Sequence, residues 1–151
     1  MLRINKASEY GVLALGYIGG SSEALSARQV SEKLQIPYEI TAKTLQRLKE
    51  AGYIESTMGT NGGYKLASPL NQISFAQIIK ALEGPLALVE CSEHSGRECS
   101  RTSSCGLKNG MKKINERLDE LLESIKLDEF AETNNGEVIN GDAVKNETHL
   151  S

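Results

Sequence analysis

The sequence predicts a mainly helical fold that contains one small β-hairpin. Apolar residues recur at spacings of three and four over most of the chain, and one period-two stretch is followed by a glycine-rich turn. Aromatic residues are scarce, with five Tyr, two Phe and no Trp among 151 residues. We therefore expect a mostly aliphatic core in one domain that carries an extension.

The first three predicted helices follow one another closely. A helix is predicted over residues 6–18, and it ends at a pair of glycines. Ser26 and Gln29 form a capping-box pattern that starts the second helix. After a turn at a proline, the third helix runs over residues 38–51. Its inward residues are expected to be Ile40, Thr44, Leu45 and Leu48.

A β-hairpin and a fourth helix follow. Residues 53–57 alternate with period two, residues 59–63 are turn-forming, and residues 64–67 are extended again, which predicts the hairpin. Ser74 and Gln77 form a second capping-box pattern, which starts a helix that ends at Gly84. Residues 67–89 are interpreted as packing elements only.

A long helix is predicted over residues 107–125. Its apolar residues alternate at spacings of four and three, which is typical of a seam between two helices and so predicts a homodimer. The alternative is an ordinary core helix that packs on residues 1–85. The spacing involves Leu107, Met111, Ile114, Leu118, Leu121 and Ile125.

Charge is distributed unevenly along the chain. The formal net charge is −3, but residues 1–66 carry eight basic and six acidic side chains, and residues 128–151 carry one basic and six acidic ones. The acidic end has too few apolar residues to offset the entropy of ordering, so disorder is expected beyond its first few residues. The chain has no long apolar run and no signal-like start, which predicts a cytoplasmic protein with no membrane contact.

Two helices, a turn, a third helix and a hairpin follow the element order of a winged helix-turn-helix domain. In such domains the third helix enters the DNA major groove and the hairpin, called the wing, lies beside the backbone. The alternative is that the third helix simply exposes a solvated charged face. The expected contacts to double-stranded DNA are Arg28, Tyr38, Thr41, Lys43, Arg47, Asn61 and Lys65. A dimer with two-fold symmetry would then read a palindromic operator in a salt-dependent way.

Cys91, Cys99 and Cys105 are the chain's three cysteines, and they lie in one polar stretch. An odd number of cysteines argues against a disulfide framework. Three thiolates so close together favour an iron–sulfur cluster or zinc, although zinc usually takes closer pairs and four protein ligands. The sequence offers no pair of nucleophile and base, no two convergent acids and no phosphate-binding loop, so an enzyme is not expected.

Three passages together resemble the Rrf2 family of bacterial winged-helix regulators over roughly residues 1–130. They are Ser8-Glu9-Tyr10-Gly11, the wing at residues 59–67, and the cysteine-bearing residues 91–108. The last passage is most similar to the NsrR branch of the family and less similar to the IscR branch. The IscR branch has a His three residues after the third cysteine, where this chain has Lys108.

The resemblance implies a homodimeric transcription regulator, in the NsrR case a repressor, that senses nitric oxide through an iron–sulfur cluster. It implies a 4Fe-4S rather than a 2Fe-2S cluster, bound by the three cysteines and by Glu9 of the partner subunit. His94, water or a small thiol are the alternative fourth ligands. Oxygen and iron supply are the alternative signals. The family's usual Arg before the wing glycine is replaced by Met58, which predicts a weaker wing contact.

The predicted organisation has four parts. Residues 1–85 form the DNA-binding domain, residues 86–106 form the cluster-binding segment, here called the cysteine loop, residues 107–130 form the dimerisation helix, and residues 131–151 form a disordered acidic tail. Two other functions stay open from the sequence. The cysteines could form a zinc site or a thiol redox switch in a DNA-binding dimer, or the chain could be an iron–sulfur carrier or a protein-interaction module.

Overall fold

The computed structural model describes residues 3–88 and 105–131. Within these ranges the chain is mainly helical with one antiparallel hairpin, so the predicted fold class is confirmed. The elements are α1 (Lys6–Gly19), α2 (Ala27–Leu34), α3 (Tyr38–Glu50), β1 (Ile54–Thr57), β2 (Gly63–Leu66), a 3₁₀ turn (Leu70–Gln72), α4 (Phe75–Glu83), α5 (Lys108–Ser124) and α6 (Asp128–Ala131).

Both predicted capping boxes are present. The Ser26 hydroxyl accepts a hydrogen bond from the Gln29 N–H over 3.2 Å, and the Gln29 side chain accepts one from the Ser26 N–H over 2.8 Å. Ser74 and Gln77 make the same reciprocal pair at the start of α4, at 3.1 and 2.8 Å. Each serine cap contributes about 1 kcal/mol to helix stability, so α2 and α4 begin where the sequence says they should.

The core is aliphatic, as the composition predicts. Helix α1 packs against α3, α4 and β2, and the short α6 also contacts α1. Several core side chains have no exposed surface at all, and burying each of them contributes about 1.5–3 kcal/mol. These are Leu15, Val30, Leu45, Leu48 and Ile78.

The hairpin is attached to the helical part by a third extended segment. Strand β1 pairs with β2 in the register Ile54 to Leu66. On its other side, β2 pairs with Leu25, because Tyr64 and Leu25 exchange two main-chain hydrogen bonds of 2.8 and 3.0 Å. Gly63 permits this approach, since a Cβ at that position would lie 2.5 Å from the Leu25 carbonyl carbon.

The long helix is shorter than the predicted dimerisation segment, residues 107–130. Helix α5 ends at Ser124, and the chain then crosses the start of α4, where Phe75 N–H donates to Ile125 and Leu127 N–H donates to Ile73. Leu127 is 2% exposed and belongs to the core. A helix that continued to residue 130 could not place Leu127 there. No helix in the described ranges is long and apolar enough to cross a membrane.

Candidate nucleic-acid interface and cysteine loop

The turn between α2 and α3 is held by side-chain and main-chain hydrogen bonds. Gln35 ends α2 in the left-handed region, at φ 55°. The Ser31 hydroxyl then donates to the Ile36 carbonyl over 2.7 Å, and the Ile36 N–H donates back to Ser31 over 3.1 Å. These contacts set the angle at which α3 leaves α2, and so fix the helix-turn-helix.

The solvent-facing side of α3 carries three of the seven predicted DNA contacts. Tyr38 is 51% exposed, and Lys43 and Arg47 are exposed on the following turns. Ile40 is also exposed, at 43%, so its expected inward position is wrong. It lines an open groove between α3 and the start of α1. The buried residues are Thr41, Thr44, Leu45 and Leu48.

Thr41 is the one predicted DNA contact that the structure removes from the surface. It is 3% exposed, and its hydroxyl donates to the Pro37 carbonyl oxygen over 3.2 Å. A threonine that bonds back to the carbonyl four residues earlier satisfies its hydroxyl within its own chain and does not present it to a base. The inward stripe of α3 therefore begins at Thr41, one residue after Ile40.

Arg28 and Tyr38 join the exposed faces of α2 and α3. The Arg28 guanidinium lies over the Tyr38 ring, 5.6 Å from its centroid, in a cation–π arrangement. Stacking restricts the rotamers of the Arg28 side chain. Its N–H groups point along the guanidinium plane and not into the ring, which is a geometry suited to binding phosphate. Arg28 lies in the first turn of α2 and Tyr38 is the first residue of α3, so the contact joins the starts of the two helices.

The wing places two further candidates beside α3. Lys65 is exposed on β2 opposite Glu55, and Asn61 is exposed in the turn. Met58, which stands where the resemblance expects Arg, is 98% exposed at the tip. The expected positions of Asn61 and Lys65 on an exposed wing are therefore compatible with backbone contact.

Only part of the predicted cluster site lies in the described residues. Cys105 is a free, half-buried thiol just before α5. Cys91, Cys99 and the competing ligand His94 lie outside the described ranges. Within residues 3–88 and 105–131, no group of three or more His, Cys, Asp or Glu side chains is arranged to hold a metal ion.

Glu9 lies on the exposed side of α1, where a second subunit could reach it. Its side chain is 49% exposed, and its carboxylate pairs with the Lys6 ammonium over 2.8 Å. This hydrogen bond raises the pKa of Lys6 above its usual value of 10.5. Glu9 is thus accessible as an oxygen ligand. A metal centre that bound its carboxylate would displace the Lys6 ammonium.

Helix α5 carries its apolar residues in two neighbouring rows. Leu107, Ile114 and Leu121, here called the α5 stripe, are 67%, 51% and 57% exposed. The residues between them, Met111 and Leu118, are half-buried, and α5 packs against α4. The predicted seam is therefore split into two neighbouring rows: the half-buried row lies towards the same chain, and the exposed row has no partner within the described residues.

A family model named Rrf2, described as an iron-dependent transcriptional regulator, matches residues 4–133. The chain belongs to the Rrf2 family. Rrf2 proteins are transcription regulators and not enzymes, they bind DNA, and they are typically dimeric. The predicted family is confirmed, while assignment to the NsrR branch stays a prediction.

Known proteins similar to this Rrf2 chain cover most of its length. Protein aau3 of Rhizobium meliloti (strain 1021) is 29% identical over 130 residues, which are 85% of this chain and 84% of the relative. CymR (YrzC), the global cysteine regulator of B. subtilis, has a TM-score of 0.69 at 24% identity, covering 88% of this chain and 98% of its own. IscR of T. potens has a TM-score of 0.65 at 24% identity, covering 91% and 94%. The two structures show that the fold is shared.

Sequence reasoning missed two polar residues of this Rrf2 chain. One fixes the start of α1, and the other fixes the start of the cysteine loop. Glu83, at the end of α4, accepts from the Asn5 N–H over 3.0 Å and from the Ser8 hydroxyl. It therefore fixes the start of α1, next to Glu9. Asn115, on α5, holds the first residues of the cysteine loop. Asn115 could have been recognised in the sequence as a lone amide within the apolar row of Met111, Leu118 and Leu122. Nothing in the sequence distinguishes Glu83 from the other acidic residues.

Residues 67–89, interpreted from the sequence as packing elements only, also hold neighbouring elements through polar contacts. The end of α4 and the residues after it form hydrogen bonds with α1, α3 and α5. This segment leads directly into the cysteine loop. Its hydrogen bonds reach three of the helices that carry candidate site residues.

Proposed function

We propose that this chain is a dimeric operator-binding repressor that senses nitric oxide through an iron–sulfur cluster. The observation that carries the DNA-binding part is the exposed basic side of α3, fixed by the α2–α3 turn and flanked by the wing. Its DNA contacts are Arg28, Tyr38, Lys43, Arg47, Asn61 and Lys65. Thr41 is excluded because it is buried.

Electrostatics should dominate the affinity of this surface. Arg28, Lys43, Arg47 and Lys65 would each neutralise a phosphate in both subunits, and each neutralised phosphate lowers the slope of log K against log salt by about 0.9. A dimer in which both subunits use all four cations would therefore show a slope of log K against log salt of about −7. The whole chain is acidic, so the attraction must come from this local surface.

The donor set suits an iron–sulfur cluster of the 4Fe-4S type. Cys91, Cys99 and Cys105 would supply three thiolates, and the half-buried, unpaired state of Cys105 supports this role. Glu9 of the partner subunit would be the fourth ligand, which its exposure supports. A bound cluster would supply iron that nitric oxide can bind, most readily at the iron with a hard carboxylate ligand.

The two subunits would meet along the α5 stripe. Three exposed apolar side chains at seven-residue spacing match the seam of a two-helix contact. With Glu9 joined to the opposite cysteine loop, α1 and hence α3 of each subunit would be held at the half-site spacing of a palindromic operator, about 34 Å. Release of Glu9 would free that spacing and weaken operator binding.

The test is the metal content and DNA affinity of protein purified without oxygen. We expect iron and acid-labile sulfide in a ratio near one, a visible absorption band that Cys105→Ser abolishes, and a Mössbauer signal that nitric oxide changes. Glu9→Gln should retain the thiolate-bound iron but alter its spectrum, whereas the exposed-site control Glu23→Gln should match the unaltered protein. Colourless protein that contains zinc would reject the cluster and leave the zinc or thiol switch.

The operator is found with the same protein. We expect selection from random duplexes to return a palindrome, and its affinity to fall after nitric oxide treatment. Equal affinity before and after treatment would reject the sensing role without affecting DNA binding. Selection that returns no preferred duplex would favour the iron–sulfur carrier or the interaction module.

A further inference from the structure

Glu39 is an acidic side chain on the exposed face of the proposed DNA-reading helix. It is the second residue of α3 and lies in the first turn of that helix. The fully buried Leu48 follows it by nine residues, which is about two and a half helical turns. Glu39 therefore lies on the side of α3 opposite the core, among the N-terminal residues that reach base edges when a recognition helix enters the major groove.

The Glu39 carboxylate has no hydrogen bond and no ion pair within the described residues. Lys43 follows it one turn later, a spacing at which Glu and Lys can pair, but no ion pair joins these two described side chains. Glu50, on the same face at the other end of α3, differs in this respect, because it accepts a hydrogen bond from the Gln46 amide over 3.1 Å. Glu39 is thus an acidic acceptor on the α3 surface that is free to bind another molecule.

A carboxylate at this position weakens DNA binding unless a base donates to it, because the phosphates repel it. The proposed function assigns Lys43 to a phosphate, so Lys43 does not neutralise Glu39 in the complex. The major groove offers two amino groups as donors, N6 of adenine and N4 of cytosine. Adenine carries the acceptor N7 beside N6, and this acceptor repels a carboxylate. Cytosine N4 is therefore the better partner.

We propose that Glu39 is a specificity-determining residue that selects cytosine at one position of each operator half-site. This inference rests on the proposed function, since it requires α3 to lie in the major groove. The cytosine N4 amino group donates to the Glu39 carboxylate. Guanine and thymine present only acceptors at this edge, so with either base the carboxylate loses water without gaining a donor. The penalty for the wrong base contributes to specificity together with the contact itself.

A structural role of Glu39 predicts a different result. An acidic residue in the first turn interacts favourably with the helix dipole, and α3 has no side-chain hydrogen bond at its N-cap, Pro37. If this were the whole role of Glu39, removing its charge would lower the stability of α3 but would not change which base is preferred. The base preference is therefore the measurement that separates the two roles.

The experiment compares Glu39→Ala and Glu39→Gln with the unaltered protein and with the control Glu50→Gln. Each full-length protein is purified without oxygen, checked for folding by circular dichroism and used to select duplexes from a random pool. We expect the unaltered protein and Glu50→Gln to select the same cytosine in each half-site. Glu39→Ala should lose the preference at that position alone, and Glu39→Gln should move it to adenine, whose N6 and N7 match an amide.

Fluorescence anisotropy then measures the size of the effect. Replacing the selected cytosine in one half-site should weaken binding by the unaltered protein about 5- to 100-fold, and binding by Glu39→Ala by less than about 2-fold. Glu39→Ala should bind a random duplex at least as tightly as the unaltered protein, because a charge that repels phosphate is gone. A folding defect would weaken binding to every duplex instead.

Failure of the inference is distinguishable from failure of the proposed function. If the unaltered protein selects no preferred duplex, the DNA-reading part of the proposed function fails, and the inference fails with it. If it selects a palindrome, but folded Glu39→Ala and Glu39→Gln keep all of its base preferences, the inference alone is wrong. The inference is also wrong if these variants lose a preference for a base other than cytosine, or if Glu50→Gln loses the same preference.

Discussion

The guanidinium of Arg47, on α3, donates to the main-chain carbonyl oxygen of Leu82 over 3.0 Å. Leu82 is the penultimate residue of α4, and its carbonyl is one of the last in the helix, which lack partners within the helix itself. A positive group at this end also interacts favourably with the helix dipole. The same exposed arginine that faces the proposed DNA surface therefore fixes α3 to α4.

This double role predicts that Arg47 and Lys43 behave differently when truncated. Arg47→Ala should weaken operator binding and also lower the free energy of unfolding by about 1 kcal/mol, because one hydrogen bond is lost. Lys43→Ala should weaken binding but change stability by less than about 0.5 kcal/mol. Fluorescence anisotropy and urea unfolding measure the two effects. Equal stability of both variants would mean that the Leu82 contact contributes nothing.

Two glycine substitutions should have effects of opposite sign. Gly63→Ala must push β2 away from Leu25, because its Cβ would fall 2.5 Å from main-chain atoms. Losing the two hydrogen bonds there should cost about 2 kcal/mol. Gly110→Ala, in α5, meets no atom within 4 Å and should stabilise the helix by up to about 1 kcal/mol. Thermal unfolding of both variants tests this, and an unaffected Gly63→Ala would contradict the close approach.

A charge on the α5 stripe should separate the subunits. Ile114→Glu places a carboxylate in the proposed apolar seam, and we expect sedimentation velocity to show monomers at micromolar concentration. Asn109→Glu adds the same charge to an exposed position outside the stripe and should leave the dimer intact. Operator affinity should fall with Ile114→Glu alone. A dimeric Ile114→Glu would place the subunit contact elsewhere.

Acid should loosen the contact between α4 and α5. The buried Ser74 hydroxyl donates to Glu123 over 2.6 Å, and Lys80 lies 3.0 Å from the same carboxylate and 2.9 Å from Asp119. The hydrogen bond from Ser74 and then the one from Lys80 hold the pKa of Glu123 below its usual 4.5. The ionised form therefore stabilises the fold above pH 4.5, and this contribution disappears as the pH falls through the lower folded-state pKa.

Glu123→Gln tests this dependence. At neutral pH the variant should be less stable by about 1 kcal/mol or less, because the carboxylate is 41% exposed and screened by solvent. The difference from the unaltered protein should vanish below the lowered pKa, as urea unfolding across a pH series measures. Glu116→Gln, exposed on the same helix, is the control. A difference that persists unchanged at low pH would rule out Glu123 as its source.

The elements of this fold were predictable where the signal is local. Ser26 and Ser74 each precede a Gln by three residues, and the reciprocal hydrogen bonds are set by that spacing alone. The inward face of α3 was predicted correctly at Thr44, Leu45 and Leu48, and only its first residue was misplaced, because Ile40 was assumed to be buried in place of Thr41. Thr41 instead satisfies its hydroxyl within the helix, so it can lie inside at little cost.

The rest of the site depends on partners distant in sequence. The apolar spacing of α5 indicates a contact, but it does not show that α4 takes one row of residues and leaves the other exposed. Asn115 is recognisable as a buried amide only when the carbonyl of Leu86 and the N–H of Leu88 are placed beside it. The same applies to Leu127, which the predicted dimerisation segment of residues 107–130 includes and which belongs to the core of its own chain.

The pairing of Leu25 with Tyr64 makes the DNA-reading part behave as one solid piece. The wing is bonded to the residues just before α2, and α2 is fixed to α3 through Ser31, so residues 25–66 have little freedom to bend. Such a part moves as one rigid body. In the proposed dimer, the DNA-bound and released states would then differ in the distance between the two DNA-reading parts, and an inhibitor of this regulator is best aimed at the contact between the subunits.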